Sequence, residues 1–170
     1  MAKSSYINKI FNAGPLILLY YLCISEVDTN FEKMFEIFTL NFQIIIIYFW
    51  VIKRPDIMAN GHVFLAGLIN DVVMGFPLGI SSLSYLIIIF VGTYVRNKSV
   101  NTTIASDWFT FFMAMIFSNL LFFSLLNNFS DVAISYEKIG YNTFFTLFLF
   151  PVFWFLFNLY QMSFIGSQDA

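Results

Sequence analysis

Six apolar stretches, separated by short charged or turn-forming segments, constrain the fold of this 170-residue chain more than any other feature. They cover residues 11–25, 37–52, 58–75, 79–95, 108–126 and 143–164. A membrane-spanning helix needs about 20 apolar residues, so six of them would use roughly 120 residues. Too little of the chain remains for a separate soluble domain. We therefore predict a single polytopic membrane domain, an all-α integral membrane bundle of six transmembrane helices.

The composition leads to the same class of protein. Hydrophobic residues make up 59% of the chain and charged residues only 11%, whereas a soluble domain has about 25% charged residues. This excludes an ordinary soluble protein, a disordered chain and a nucleic-acid binder, and it makes the lipid bilayer the expected surroundings. The single cysteine, Cys23, excludes an internal disulfide, and the single histidine, His62, excludes a multi-histidine metal site. The sequence offers no catalytic residue set and no glycine-rich phosphate loop, so we expect no enzyme activity and no cofactor.

The lysines and arginines set the expected orientation, because they concentrate in cytoplasmic segments of membrane proteins. If the N-terminus is cytoplasmic, the inner segments hold six basic residues and the outer segments hold two. The six are Lys3, Lys9, Lys53, Arg54, Arg96 and Lys98, and the two are Lys33 and Lys138. This split predicts that both termini lie in the cytoplasm.

The third apolar stretch is unusually short. A helix from His62 to Gly75 would be about 21 Å long at 1.5 Å per residue, which is less than the roughly 30 Å of a hydrocarbon core. Two interpretations are open: the helix starts earlier, near Ile57, or it dips into the membrane and returns with the fourth stretch.

Asp71 is the only acid that we place inside an apolar helix, and a carboxylate at membrane depth costs several kcal/mol. Helical spacing puts four residues on one face, namely Gly67, Asn70, Asp71 and Met74. The glycine would allow a close helix contact there, and the asparagine would supply hydrogen bonds. Two roles are open for Asp71. It would form a site that binds a partner or sets a conformation, or it would hydrogen-bond the backbone at the following turn.

The segments around Asp71 are also distinctive. The uncharged run from Gly75 to Gly79, with Pro77 and Leu78, predicts a tight hairpin turn. The polar row that follows would either pack helix against helix or line a small-molecule cavity; it consists of Ser81, Ser82, Ser84 and Tyr85. The charges before the third stretch would act as topology signals, or would contact a cytoplasmic partner or a lipid phosphate; they lie in the run Lys53-Arg54-Pro55-Asp56.

This part of the chain resembles the rod shape-determining protein MreD family of bacterial inner-membrane proteins. The family typically shows a G-L-hydrophobic-x-D motif, then G-x-P-L-G, then a short serine- and leucine-containing run. The matching residues here are Arg54-Pro55-Asp56, Gly67-Leu68-Ile69-Asn70-Asp71, Gly75-Phe76-Pro77-Leu78-Gly79 and Ser82-Leu83-Ser84-Tyr85. Ser82 stands where the family has another small residue, and the rest of the chain is generic apolar sequence.

The resemblance implies a function that composition and spacing do not. Proteins of the MreD family belong to the peptidoglycan elongation machinery and associate with MreC, MreB, RodA and an elongation penicillin-binding protein. They are not known as enzymes, and their fold is similar to that of the substrate-binding subunits of energy-coupling-factor transporters. We therefore expect a non-enzymatic scaffold of the inner membrane that binds MreC and maintains rod cell shape.

An alternative function remains open at this stage, namely a substrate-binding membrane subunit of a vitamin or metal transporter. It would need a polar cavity open to the outside, for which Ser81, Ser84, Tyr85 and Asn119 would supply hydrogen-bonding groups.

Overall fold

The computed structural model describes residues 2–25, 34–98, 103–129 and 136–165. Within these residues the chain forms six α-helices and no strand, which confirms the all-α prediction. The helices are α1 (Ala2–Ile24), α2 (Met34–Lys53), α3 (Asn60–Met74), α4 (Ile80–Lys98), α5 (Ile104–Phe129) and α6 (Tyr136–Tyr160), and α6 continues as a π-helical turn over Gln161–Ile165.

Among the residues that the structure describes, three helical segments are long and apolar enough to cross a membrane by length and composition. They are Ile80–Lys98, Ile104–Phe129 and Gly140–Ser163. The apolar helical parts of α1 and α2 within the described residues are shorter, over Phe11–Ile24 and Phe42–Lys53. Helix α3 has 15 residues, or about 22 Å at 1.5 Å per residue. It begins at Asn60 rather than near Ile57.

Helix α2 forms the centre of the bundle. Every residue from 43 to 52 is buried, and α2 contacts α1, α4 and α6. The ring of Tyr48 also packs against Phe111 of α5, with ring centroids 5.2 Å apart. A helix that is hydrophobic on all sides is expected in an interior, and the isoleucine- and aromatic-rich sequence of α2 has no polar face toward its C-terminal end.

Helix α6, in contrast to α2, is mostly exposed at the surface of the bundle. Only 11% of its apolar stretch is buried, compared with 44% in α4. The large exposed side chains of α6 include Phe144, Phe148 and Phe155. Such a surface suits a helix in contact with lipid, because hydrocarbon solvates apolar side chains without penalty.

Several boundaries differ from the prediction. The segment up to Asp107 was expected to be a polar loop, but α5 begins at Ile104 and Asp107 is buried in its first turn. Glu36, expected in a loop, lies within α2, and α6 begins at Tyr136 instead of residue 143. Glu137, which precedes the sixth predicted stretch, also lies within α6. The polar tail from Gly166 and four further acids between the predicted stretches lie outside the described residues; the acids are Glu26, Asp28, Glu32 and Asp131. An acid in the first turn is favoured by the helix dipole, which explains why α5 starts before Asp107.

Pro15 lies inside α1 and has no N–H to donate to the carbonyl of Phe11, four residues earlier. The hydroxyl of Tyr160, at the end of α6, donates a hydrogen bond of 3.0 Å to that carbonyl. Pro15 leaves the carbonyl of Phe11 without its usual donor from the same helix. The proline is tolerated in α1 because Tyr160 of a neighbouring helix supplies a donor instead.

Pro151 in α6 has the same consequence for the carbonyl of Leu147. Here the donor is the indole Nε1–H of Trp108 on α5, at 2.9 Å. Both prolines inside helices therefore coincide with a hydrogen bond from an aromatic side chain of another helix, and these bonds connect α6 to α1 and to α5.

Candidate functional site

The residues that carry the family resemblance meet mainly at the hairpin between α3 and α4. Helix α3 ends at Met74 and is capped by Gly75, which adopts a left-handed conformation with φ +68°. The N–H of Phe76 donates to the carbonyl of Asp71 at 2.8 Å, and the N–H of Gly75 donates to the carbonyl of Val72 at 3.4 Å. This pair of bonds is the Schellman arrangement, which satisfies carbonyls at a helix end and reverses the chain.

Asp71 connects this helix end to the start of the next helix. Its side chain is fully buried. One carboxyl oxygen accepts the N–H of Gly79 at 2.8 Å and the other accepts the N–H of Ser81 at 2.9 Å. Asp71 therefore caps the N-terminus of α4 from α3, where the helix dipole favours negative charge. This is the arrangement expected if Asp71 hydrogen-bonds the backbone at the turn.

The turn itself contains Pro77 and Leu78. The carbonyl of Pro77 accepts the N–H of Ile80 at 3.4 Å, and the side chain of Leu78 is 71% exposed. Gly79, with φ +101°, occupies backbone space that other residues rarely adopt. The carbonyl of Gly79 accepts the N–H of Leu83 at 2.9 Å. Gly79 thus makes a hydrogen bond through its carbonyl as well as through its N–H, which Asp71 accepts.

A buried chain of side-chain hydrogen bonds runs from the hairpin across the bundle. Asn70 donates to the hydroxyl of Ser81 at 3.0 Å and accepts from Nε2 of Gln43 at 3.2 Å. The same Gln43 nitrogen donates to the carbonyl of Leu22 at 3.1 Å, and the hydroxyl of Tyr85 donates to Oε1 of Gln43. Four helices, α1 to α4, are joined by this one network.

Gly67 sets the separation of α3 and α4. A Cβ atom at this position would lie 2.5 Å from the Cα of Ser82 and 2.6 Å from its backbone nitrogen. Only a residue without a side chain fits this contact. Because the two helices lie so close, the hydroxyl of Ser82 donates a hydrogen bond of 3.0 Å to the carbonyl of Phe64.

Arg54, Pro55 and Asp56 lie at the opposite end of α3 from Asp71, so the structure does not bring them into the hairpin network. Helix α2 ends at Lys53, one residue beyond the second predicted stretch, and Pro55 disfavours a helical conformation in the residue that precedes it. Arg54 makes a bidentate ion pair with Asp56, at 3.0 Å from Nε and 2.9 Å from Nη2. The hydrogen bonds from Arg54 lower the pKa of the Asp56 carboxyl, against the smaller opposing effect of partial burial.

Asp107 is a buried polar residue that was not predicted from the sequence. The Asp107 side chain is 1% exposed, and its Oδ2 accepts the indole N–H of Trp154 at 3.1 Å. The hydroxyls of Tyr48 and Thr110 share a hydrogen bond beside it. The available signal was the position of an acid just before a long apolar run, which is typical of the first turn of a helix.

The polar groups considered for a small-molecule cavity are all engaged within the protein. Ser81 and Tyr85 belong to the buried network described above. Ser84 donates to the carbonyl of Ile80 at 2.9 Å, and Asn119 donates to the hydroxyl of Thr143 at 3.3 Å. Among the residues that the structure describes, no group of three His, Cys, Asp or Glu side chains is placed to hold a metal ion.

Comparison of the chain with protein-family models, with curated proteins and with solved structures found no match in any of the three. The resemblance of the hairpin motif to the MreD family therefore stays a prediction from the residues themselves.

Proposed function

We propose that this protein is a non-enzymatic scaffold of the cell-wall elongation machinery in the bacterial inner membrane. The single observation that carries the proposal is the hairpin between α3 and α4. The residues through which the chain resembles the MreD family, above all Asp71, are used there to fix one backbone arrangement. Because both oxygens of the Asp71 carboxyl accept backbone N–H groups, this side chain holds the hairpin in one conformation. A fixed conformation is what a scaffold function requires.

The proposed topology has six membrane crossings, both termini in the cytoplasm and a fold similar to the substrate-binding subunits of energy-coupling-factor transporters. The proposed primary partner is MreC, with MreB, RodA and an elongation penicillin-binding protein in the same assembly. Helix association within lipid depends on close packing and interhelical hydrogen bonds. The Gly67 contact with Ser82 and the Gln43 network supply both within this chain, and they would hold its outer surface in one shape for a partner.

The transporter alternative draws less support. It needs polar side chains free to face a solute, and the candidate groups Ser81, Ser84, Tyr85 and Asn119 all have hydrogen-bond partners within the chain. A solute would have to compete with these bonds, and breaking a buried hydrogen bond costs about 1–3 kcal/mol.

Depletion of the protein in rod-shaped cells, combined with co-purification and mass spectrometry, tests the proposal. We expect cells to become round, lateral wall synthesis to fall, and the purified protein to carry wall-synthesis partners. The Asp71→Leu variant should reproduce the loss of shape, whereas Val72→Ala, at an exposed neighbouring position, should not. Unchanged cell shape after depletion, or recovery of a transporter ATPase in place of wall-synthesis proteins, would contradict the scaffold function.

A further inference from the structure

A lysine, a tryptophan and an aspartate from three helices meet where α2 ends and α5 begins. The indole N–H of Trp154 on α6 donates to Oδ2 of Asp107 on α5 at 3.1 Å. The ammonium of Lys53 on α2 lies 5.4 Å from the centroid of the same indole ring. All three side chains line one small cavity. This cluster is separate from the hairpin that contains Asp71, and the proposed scaffold function does not depend on it.

The indole of Trp154 couples the two charges. An aromatic ring is negative over its face and positive at its edge, so the face attracts a cation and the N–H attracts a carboxylate. A carboxylate that accepts the N–H also polarises the ring and strengthens the attraction of the cation above it. Loss of the negative charge on Asp107 would therefore weaken both contacts of Trp154.

Lys53 is the cation that shares a cavity with the Asp107 carboxyl. The Asp107 side chain is 1% exposed, and a buried carboxylate is costly unless positive charge and hydrogen bonds compensate for the lost water. Helix α2 faces Asp107 with Lys53 and with Tyr48, whose ring lines the same cavity. Helix α4 carries Arg96 and Lys98 in its last turn. The charged residues of α6 lie at the opposite end of that helix from Trp154; they are Glu137 and Lys138.

The part of α6 that carries Trp154 has a largely exposed surface and follows a helix-weakening residue. Trp154 lies three residues after Pro151, and a proline removes one hydrogen bond of the helix and permits a bend. Phe155 and Leu159 of this part are exposed. Its inward contacts include the ring of Phe157 against Phe49. The contacts of Trp154 differ from such ring packing because they depend on charge.

We propose that Asp107, Trp154 and Lys53 form a proton-sensitive latch on α6. While Asp107 is ionised, the carboxylate holds the indole at its edge and the ammonium holds it at its face. When the carboxylate takes up a proton from water, the N–H bond is no longer charge-assisted and Lys53 loses its counter-charge, so Trp154 and the end of α6 loosen. The four residues before Asp107 are exposed, which places the carboxyl within about one helical turn of water. A fall in pH would thereby change the apolar surface that α6 presents outward.

Fluorine NMR of the full chain in detergent, labelled with 5-fluorotryptophan, tests the latch. The chain has three tryptophans, and Trp154→Phe identifies the resonance of Trp154. Between about pH 4 and pH 9 this resonance should shift reversibly with the slope of one proton, whereas the Trp50 resonance should stay in place. Asp107→Asn should abolish the transition, because the amide keeps an acceptor but carries no charge. Lys53→Gln at neutral pH should displace the Trp154 resonance toward its position in the wild type at low pH.

Two matched variants separate the latch from general effects of charge. Asp56→Asn removes a carboxyl that is 58% exposed, and Lys98→Gln removes an ammonium that lies over Tyr94; both should keep the wild-type transition. A Trp154 resonance that does not respond to pH would overturn the proposal, as would a response that persists in Asp107→Asn or a wild-type Trp154 signal in Lys53→Gln. The Trp50 resonance reports whether each variant is folded. If Asp107→Asn does not fold, the wild-type titration and Lys53→Gln still decide the outcome.

Discussion

The backbone N–H of Ser81 donates to Oδ1 of Asp71 at 2.9 Å, so that a side chain near the end of α3 caps the start of α4. The second oxygen of the same carboxyl takes the N–H of Gly79. Backbone groups at membrane depth must find partners inside the protein, because hydrocarbon offers none. The N–H groups of this hairpin that point into the protein therefore need an internal acceptor, and Asp71 supplies it.

Asp71→Asn and Asp71→Leu should destabilise the protein to different degrees. The amide of asparagine keeps one acceptor for the two N–H groups, whereas leucine keeps none. Each buried N–H without an acceptor costs about 1–3 kcal/mol, so the leucine variant should lose about twice as much. Denaturant unfolding of the purified protein in detergent measures the order wild type, asparagine, leucine. Val72→Ala is the control, and equal stability of both Asp71 variants with the wild type would contradict the capping function.

Gly67→Ala should cost about 1–3 kcal/mol of unfolding free energy, because the added methyl group would lie 2.5 Å from the backbone of Ser82 and the helices would have to separate. Gly61→Ala in the same helix is a matched control, since nothing lies within 4 Å of a Cβ there. Alanine at Gly61 should be neutral or stabilise by up to about 1 kcal/mol. Thermal unfolding of both variants in detergent gives the comparison, and equal effects would show that the close contact does not limit packing.

The sequence was sufficient for features that depend on local chemistry. The glycines of the turn predicted the hairpin, and both Gly75 and Gly79 have positive φ. The second apolar stretch predicted a helix end at residue 52, one residue before the end of α2 at Lys53. The spacing of α3 predicted a shared face, and three of its four residues are buried, whereas Met74 is only partly buried; the three are Gly67, Asn70 and Asp71. These predictions used only conformational preferences and helical spacing, which act within a few residues along the chain.

Features that depend on distant residues were not predictable in the same way. Gln43 was one of several scattered polar residues in the sequence, yet it joins α1, α3 and α4. Asp107 was expected in a loop, but it is buried and accepts a hydrogen bond from the indole of Trp154, 47 positions away in sequence. Such pairings depend on which helices become neighbours, and local propensity carries no information on that.

The ion pair between Arg54 and Asp56 should contribute a pH-dependent term to stability. The hydrogen bonds from Arg54 lower the folded-state pKa of Asp56, below the value of about 3.9 expected in the unfolded chain. A lowered pKa stabilises the fold above the unfolded-state value, and that stabilisation is lost as the pH falls through the folded-state value. Because the Asp56 side chain is 58% exposed, water screens the pair and the term should be at most about 1 kcal/mol.

Unfolding of the wild type and of Asp56→Asn across pH 2–7 measures this term as a difference. The wild type should be more stable near neutral pH, and the difference should shrink as the pH falls below the unfolded-state value of about 3.9 and vanish below the lowered folded-state pKa of Asp56. All other acids titrate in both proteins and cancel in the difference. A difference that is constant down to pH 2 would exclude titration of Asp56 as its cause.

Trp108→Phe should show whether the indole compensates for Pro151. The variant loses the hydrogen bond to the carbonyl of Leu147, and interhelical hydrogen bonds in membranes contribute about 0.5–2 kcal/mol. In a Pro151→Ala background the alanine N–H would bond to the same carbonyl within α6, so the indole would become partly redundant. A double-mutant cycle, measured by unfolding in detergent, should therefore give a smaller cost for Trp108→Phe when Pro151 is absent. Equal costs in the two backgrounds would mean that the indole and the proline act independently. A second double-mutant cycle, with Tyr160→Phe and Pro15→Ala, repeats the test at the carbonyl of Phe11.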